Sequence, residues 1–105
     1  MKKYKVITLC GSTKFKDEFY EAQKKLTLDG NIVISVGFFS QSDGITELTE
    51  KVKNMLDDMH KAKIDMADEI YVINVNDYIG ESTRSEIEYA NKHGKKVNYM
   101  FEHKD

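Results

Sequence analysis

The sequence predicts a three-layer α/β sandwich around a four-stranded parallel sheet in the order 2-1-3-4, and three observations carry that prediction. Short β-rich apolar runs alternate with amphipathic stretches of helical period, each connection between runs is long enough to hold a helix, and 105 residues leave room for a single domain. The arrangement is doubly wound, of the flavodoxin-like or Rossmann-like kind. Between strands one and three the winding reverses, so their carboxyl ends flank the crevice in which such sheets bind ligands.

Val6-Ile7-Thr8-Leu9-Cys10 is a continuous apolar run ended by Gly11, as suits a strand covered on both faces. From Phe15 the period changes. Phe15, Phe19, Ala22 and Leu26 recur at steps of four and three, with Lys16, Asp17, Lys24 and Lys25 between them, which predicts an amphipathic helix closing near Asp29-Gly30. Ile32 to Val36 is the second strand, followed by a loop from Gly37 to Gly44 that carries Phe38 and Phe39. A second helix is expected to start near Thr46, whose hydroxyl can cap it, with Leu48, Val52, Met55, Leu56, Met59 and Met66 as its buried stripe and a break near His60. Ile70 to Val75 is the third strand and Asn76 to Glu81 a loop. Ser82 or Thr83 is expected to cap a third helix through His93, which Gly94 ends, and Val97 to Phe101 is the fourth strand.

The formal net charge of -2 comes from closely balanced acids and bases, which argues against a nucleic-acid backbone binder, since that would need an uncompensated basic face. Cys10 is the only cysteine, so no intrachain disulfide and no CxxC-type zinc cluster can form, and a reducing, cytoplasmic setting is expected. Met1 to Lys5 is basic, yet only a handful of apolar residues follow before Gly11, so the segment reads as a strand and not as a targeting signal. No apolar run approaches the roughly 20 residues of a membrane helix. Proline is absent and no glycine-serine linker or repeat divides the chain.

Two loops fall at the predicted crevice. Gly11-Ser12-Thr13-Lys14 follows a buried strand and opens a helix, gathering backbone N–H groups, two hydroxyls and a cation where phosphate or carboxylate is favoured. It has neither GxGxxG nor the Walker pattern, so no dinucleotide or triphosphate cradle is expected, and Ser12 or Thr13 has the alternative role of a plain helix cap. The second loop, Gly80-Glu81-Ser82-Thr83-Arg84-Ser85-Glu86, brings hydroxyls and an arginine to another helix start. Glu86 has two readings: a carboxylate projecting into the cleft as nucleophile or base, or the return arm of a Thr83-x-x-Glu86 capping box. His60 has a side chain suited to proton transfer near neutrality but lies in a charged stretch where histidines are commonly solvated. Phe38 and Phe39 either stack on a base or plug the core. Cys10 reads as a buried, inert thiol. The three histidines have no metal-ligand spacing on a helix face, and Asp57, Asp58 and Asp65 read as a solvated acidic face, so neither metal nor cofactor is expected.

Leu9-Cys10-Gly11-Ser12, Ala67-Asp68-Glu69, and Ser85-Glu86-Ile87-Glu88-Tyr89-Ala90 followed by Gly94-Lys95-Lys96-Val97 together resemble the nucleoside 2-deoxyribosyltransferase family, including its small 2′-deoxynucleoside 5′-phosphate N-hydrolase members. The likeness spans nearly the whole chain in order and spacing and is strict at these motifs. It implies that Glu86 is the nucleophile at the anomeric carbon of a deoxyribosyl group, forming a glycosyl ester that passes to water or to another base. It implies contacts from Gly11 and Ser12 to the sugar 5′ side, a phosphate or ribose loop at Ser82 and Thr83, added charge from Lys14 or Arg84, and a homodimer or higher homo-oligomer. Two positions depart from the family pattern. His60 stands where the family has an aspartate before strand three, which makes His60 the candidate acid, and Gly80 stands where an aspartate is common six residues before the glutamate. The expected function is therefore N-glycosidic hydrolysis or deoxyribosyl transfer on a small-molecule nucleoside or its 5′-monophosphate. A non-catalytic nucleotide-binding or sensing module and a plain interaction domain are the alternatives.

Overall fold

The computed structural model describes residues 3–40, 42–45 and 47–104. Its elements are β1 (Val6–Gly11), α1 (Lys16–Leu28), β2 (Ile32–Ile34), α2 (Glu50–Asp65), β3 (Glu69–Ile73), a short 3-10 turn (Val75–Asp77), α3 (Glu81–Lys92) and β4 (Lys96–Tyr99). The four strands form one sheet in the order β2-β1-β3-β4 with all three pairings parallel, as the alternation of strand and helix requires.

Because side chains alternate across a strand, β1 feeds two cores. Ile7 and Leu9 pack with Phe19, Ala22 and Leu26 of α1, together with Ile73 and Phe39. Cys10 packs on the other face with Ile64 of α2, Ile70 and Val72 of β3, and Ala90 of α3. Thr8 shares that second face, and its hydroxyl donates to the Lys63 carbonyl at 2.9 Å, which ties the sheet to α2. Each fully buried large side chain here, such as Phe19, Leu9 or Ile64, contributes about 1.5–3 kcal/mol of burial free energy. The parity of β1 therefore aims Cys10 at the α2–α3 layer.

Several boundaries differ from expectation for identifiable reasons. The second strand stops at Ile34 and the fourth at Tyr99, while the third begins at Glu69 and stops at Ile73. Asn74, fully buried, ends β3: its amide donates to Asp77 Oδ1 (3.0 Å) and the Phe101 carbonyl (3.1 Å), and its Oδ1 accepts the Phe101 N–H (2.9 Å). Thr46 lies outside the described residues, and α2 begins at Glu50, capped by Thr49, whose hydroxyl accepts the Val52 N–H at 3.1 Å. The helix runs unbroken through His60. Its inward row is Val52, Leu56, His60 and Ile64 at steps of four, so Met55 and Met59, one position back, are exposed, as is Met66 at the C-cap. Gly80, and neither Ser82 nor Thr83, caps α3, and the Arg84 N–H already bonds the Gly80 carbonyl at 2.9 Å.

Candidate active site

A cleft of about 660 Å³ opens where the carboxyl ends of β1 and β3 diverge, within the size range of small-molecule sites. Gly11, Ser12 and Thr13 form one wall, Phe38 and the α2 residues Asp57 and His60 another, and Gly80, Ser82, Thr83 and Glu86 the third. The two loops picked out by sequence position thus meet at one cleft. Lys14 and Arg84 are not among its lining residues. The Lys14 ammonium sits 3.8 Å from the centre of the Tyr78 ring, a cation–π contact, and Arg84 is exposed on α3.

Gly11 is required where it stands. Its φ is +156°, and a Cβ there would come within 3.0 Å of both the Ile73 Cβ and the Ile73 carbonyl. The chain then turns through Ser12, whose carbonyl accepts the Phe15 N–H at 3.1 Å, and α1 starts at Lys16 with no side-chain cap. Neither Ser12 nor Thr13 is used as a helix cap, and both line the cleft. Of the two adjacent phenylalanines, Phe39 is buried edge-to-face on Phe19 (5.5 Å between centroids) and Phe38 lines the cleft.

Glu86 sits beyond the first turn of α3 on the buried row Thr83, Glu86, Ala90. With Gly80 as the cap, no Thr83–Glu86 capping box exists, and the carboxylate is left to the interior side of the cleft at 8% exposure. There Glu86 Oε1 is 3.6 Å from His60 Nε2, and Cys10 Sγ is 3.4 Å from the same nitrogen. One ligand atom from each residue lies within 4.8 Å of the other two. Three elements supply this cluster: β1 by strand parity, α2 by the inward row and α3 by its buried stripe.

The electrostatics follow from burial. The Glu86 pKa rises from 4.5 to about 7, mainly because burial penalises the charge; the Cys10 hydrogen bond opposes the rise, Asp57 adds to it and Lys61 subtracts from it. His60 falls from 6.5 to about 4, first through burial and then through Lys63, against Asp57 and a backbone hydrogen bond at Leu9. Burial, and then the neighbouring Glu86, push the Cys10 thiol well above its usual value. Near neutrality the cluster therefore holds a thiol, an uncharged imidazole and a carboxyl close to its midpoint. The His60–Glu86 contact is accordingly no salt bridge at that pH, and 3.6 Å is too long for a hydrogen bond.

The sequence reading placed Cys10 in the core but did not pair it with His60 and Glu86. It read Asp57 as part of a solvated acidic face and did not name Tyr78, and both line the cleft. The signal for Cys10 was present in the alternation of β1, since the residue two after Thr8 must face the α2–α3 layer. Scans against protein-family models, curated proteins and solved structures found no match to this chain. What stands is a Rossmann-like α/β fold whose cleft carries a buried Cys10–His60–Glu86 cluster, an arrangement suited to catalysis or to ligand binding. Among the described residues, no helix is long and apolar enough to cross a membrane.

Proposed function

We propose that this protein breaks, or exchanges across, the N-glycosidic bond of a nucleoside or nucleoside 5′-monophosphate, with Glu86 as nucleophile. The observation that carries the reading is the release of Glu86 from any capping role into a cleft of nucleoside size, beside His60. The resemblance to nucleoside 2-deoxyribosyltransferases supplies the reaction. A Glu86 oxygen attacks the anomeric carbon as the bond to the base nitrogen breaks, the base leaves with a proton, and water or a second base displaces Glu86 from the ester.

Energetics decide how Glu86 becomes reactive. With Glu86 near 7 and His60 near 4, the proton rests on Glu86, and ionisation of Glu86 near pH 7 costs almost nothing. Once Glu86 is ionised, its charge 3.6 Å away favours the imidazolium, and in this reading His60 passes a proton to the departing base. Phe38 supplies an aromatic face for the base, and Ser12, Ser82 and Thr83 supply hydroxyls for the sugar or its phosphate. A homodimer belongs to the same reading, with the exposed Met59 at the cleft edge as a contact. The test is base release from ribo and deoxyribo nucleosides and 5′-monophosphates by wild type beside Glu86→Gln. Release that needs Glu86 supports the reading; nucleotide binding with no release from any substrate favours a sensing module instead.

A further inference from the structure

The geometry of the buried cluster admits a second kind of ligand. Tetrahedral zinc bound through sulfur, imidazole nitrogen and carboxylate oxygen holds its ligand atoms about 3.3–3.6 Å apart, given bonds of about 2.0–2.3 Å. Cys10 Sγ and His60 Nε2 are 3.4 Å apart, His60 Nε2 and Glu86 Oε1 are 3.6 Å apart, and the three ligand atoms lie within 4.8 Å of one another. Small side-chain adjustments bring all three onto one ion. We infer that Cys10, His60 and Glu86 form a tridentate site for a divalent cation of the zinc class, with the fourth position open to the cleft.

The donor set chooses the metal class. A thiolate with an imidazole and a single carboxylate selects zinc-like ions over magnesium or calcium, which require several hard oxygen ligands. His60 and Glu86 line the cleft and give the ion its entry, while Cys10, fully buried, closes the inner end. Binding forms a metal–sulfur bond and sends the Cys10 proton, with that of Glu86 where it is protonated, to solvent. Helix-face spacing could not reveal this site because its ligands come from one strand and two different helices. One consequence rests on the proposed function: an ion held here occupies Glu86, so zinc binding and nucleophilic attack exclude each other.

Direct binding tests the site without turnover, so failure of the glycosidic reading leaves its outcome intact. The full chain is freed of metal with a chelator and titrated with Co²⁺, followed by competition with Zn²⁺. One equivalent of Co²⁺ is expected to give a near-ultraviolet sulfur-to-cobalt charge-transfer band that Zn²⁺ abolishes and that Cys10→Ala lacks. Because Cys10→Ala alters the core, His60→Gln and Glu86→Gln carry the test independently, each weakening Co²⁺ binding at least about tenfold. Absence of the charge-transfer band in the folded wild type, or equal affinity in His60→Gln and Glu86→Gln, overturns the site.

Discussion

Glu86 on α3 and His60 on α2 face each other with Oε1 3.6 Å from Nε2, and burial drives their pKa values in opposite directions, to about 7 and about 4. The acid is thus the group that titrates near neutrality, and the histidine is not. This inversion makes the pair testable through pH.

If ionised Glu86 attacks while protonated His60 serves the departing base, the reactive pair carries one proton, as the resting pair does below the midpoint, so kcat/KM for base release by metal-free protein is level below the midpoint and falls about tenfold per unit above it. The midpoint is expected near 7. A pH profile of kcat/KM from 5.5 to 9, run with chelator over about that span, reads it directly. A midpoint near 4.5, the ordinary glutamate value, would mean that Glu86 is solvated in the working enzyme.

Cys10 modulates that midpoint. Its hydrogen bond lowers the Glu86 pKa against the larger effect of burial. Cys10→Ala removes the donor, and the profile is expected to move to higher pH. An unchanged midpoint in a folded Cys10→Ala protein would show that the thiol does not bond the carboxyl.

The same two groups shape stability. Between about 4.5 and 7 the folded state holds the Glu86 proton more tightly than the unfolded chain, so stability is lost as pH rises through that window. His60 acts in the opposite sense: the folded state resists its protonation, and stability is gained as pH rises from about 4 to 6.5. The two slopes offset each other over most of the shared range in the wild type. Glu86→Gln is expected to be more stable than wild type above pH 7, by up to about 3 kcal/mol, and to gain stability with pH below it. His60→Gln is expected to lose stability from pH 4.5 to 7. Urea midpoints with chelator present, collected across this range, check both.

Gly11→Ala puts a methyl 3.0 Å from the Ile73 Cβ and carbonyl at a φ of +156°. A loss of about 1–3 kcal/mol is expected, with weakened ligand binding because Ser12 and Thr13 follow directly. Thermal unfolding and nucleotide titration of this variant measure both.

Much of the fold was legible in the sequence because its strands are continuous apolar runs and Gly11 and Gly94 punctuate them. The parallel sheet followed from the alternation, and its order from taking the simplest doubly wound arrangement. The α2 stripe was misread because methionines suit either a core or a surface, and the row chosen by packing, 52-56-60-64, includes a histidine that hydropathy counts as polar. The Ser82/Thr83 cap was misread because Gly80, two residues earlier, opened the helix first and moved both hydroxyls inside it. Glu86 and His60 were visible as residue types worth attention. The face Cys10 takes was legible in the alternation of β1, but its partners were not, because they come from two helices distant in sequence. Lys14 was expected at the cleft from its place in the loop, but the Tyr78 ring draws the ammonium aside.

The most direct test of the central claim is base release from a panel of ribo and deoxyribo nucleosides and their 5′-monophosphates, with wild type and Glu86→Gln side by side and chelator present. Release by wild type, lost in a Glu86→Gln protein that folds and still binds nucleotide, is the predicted result. Equal release by both proteins, or none by wild type from any member of the panel, would contradict it.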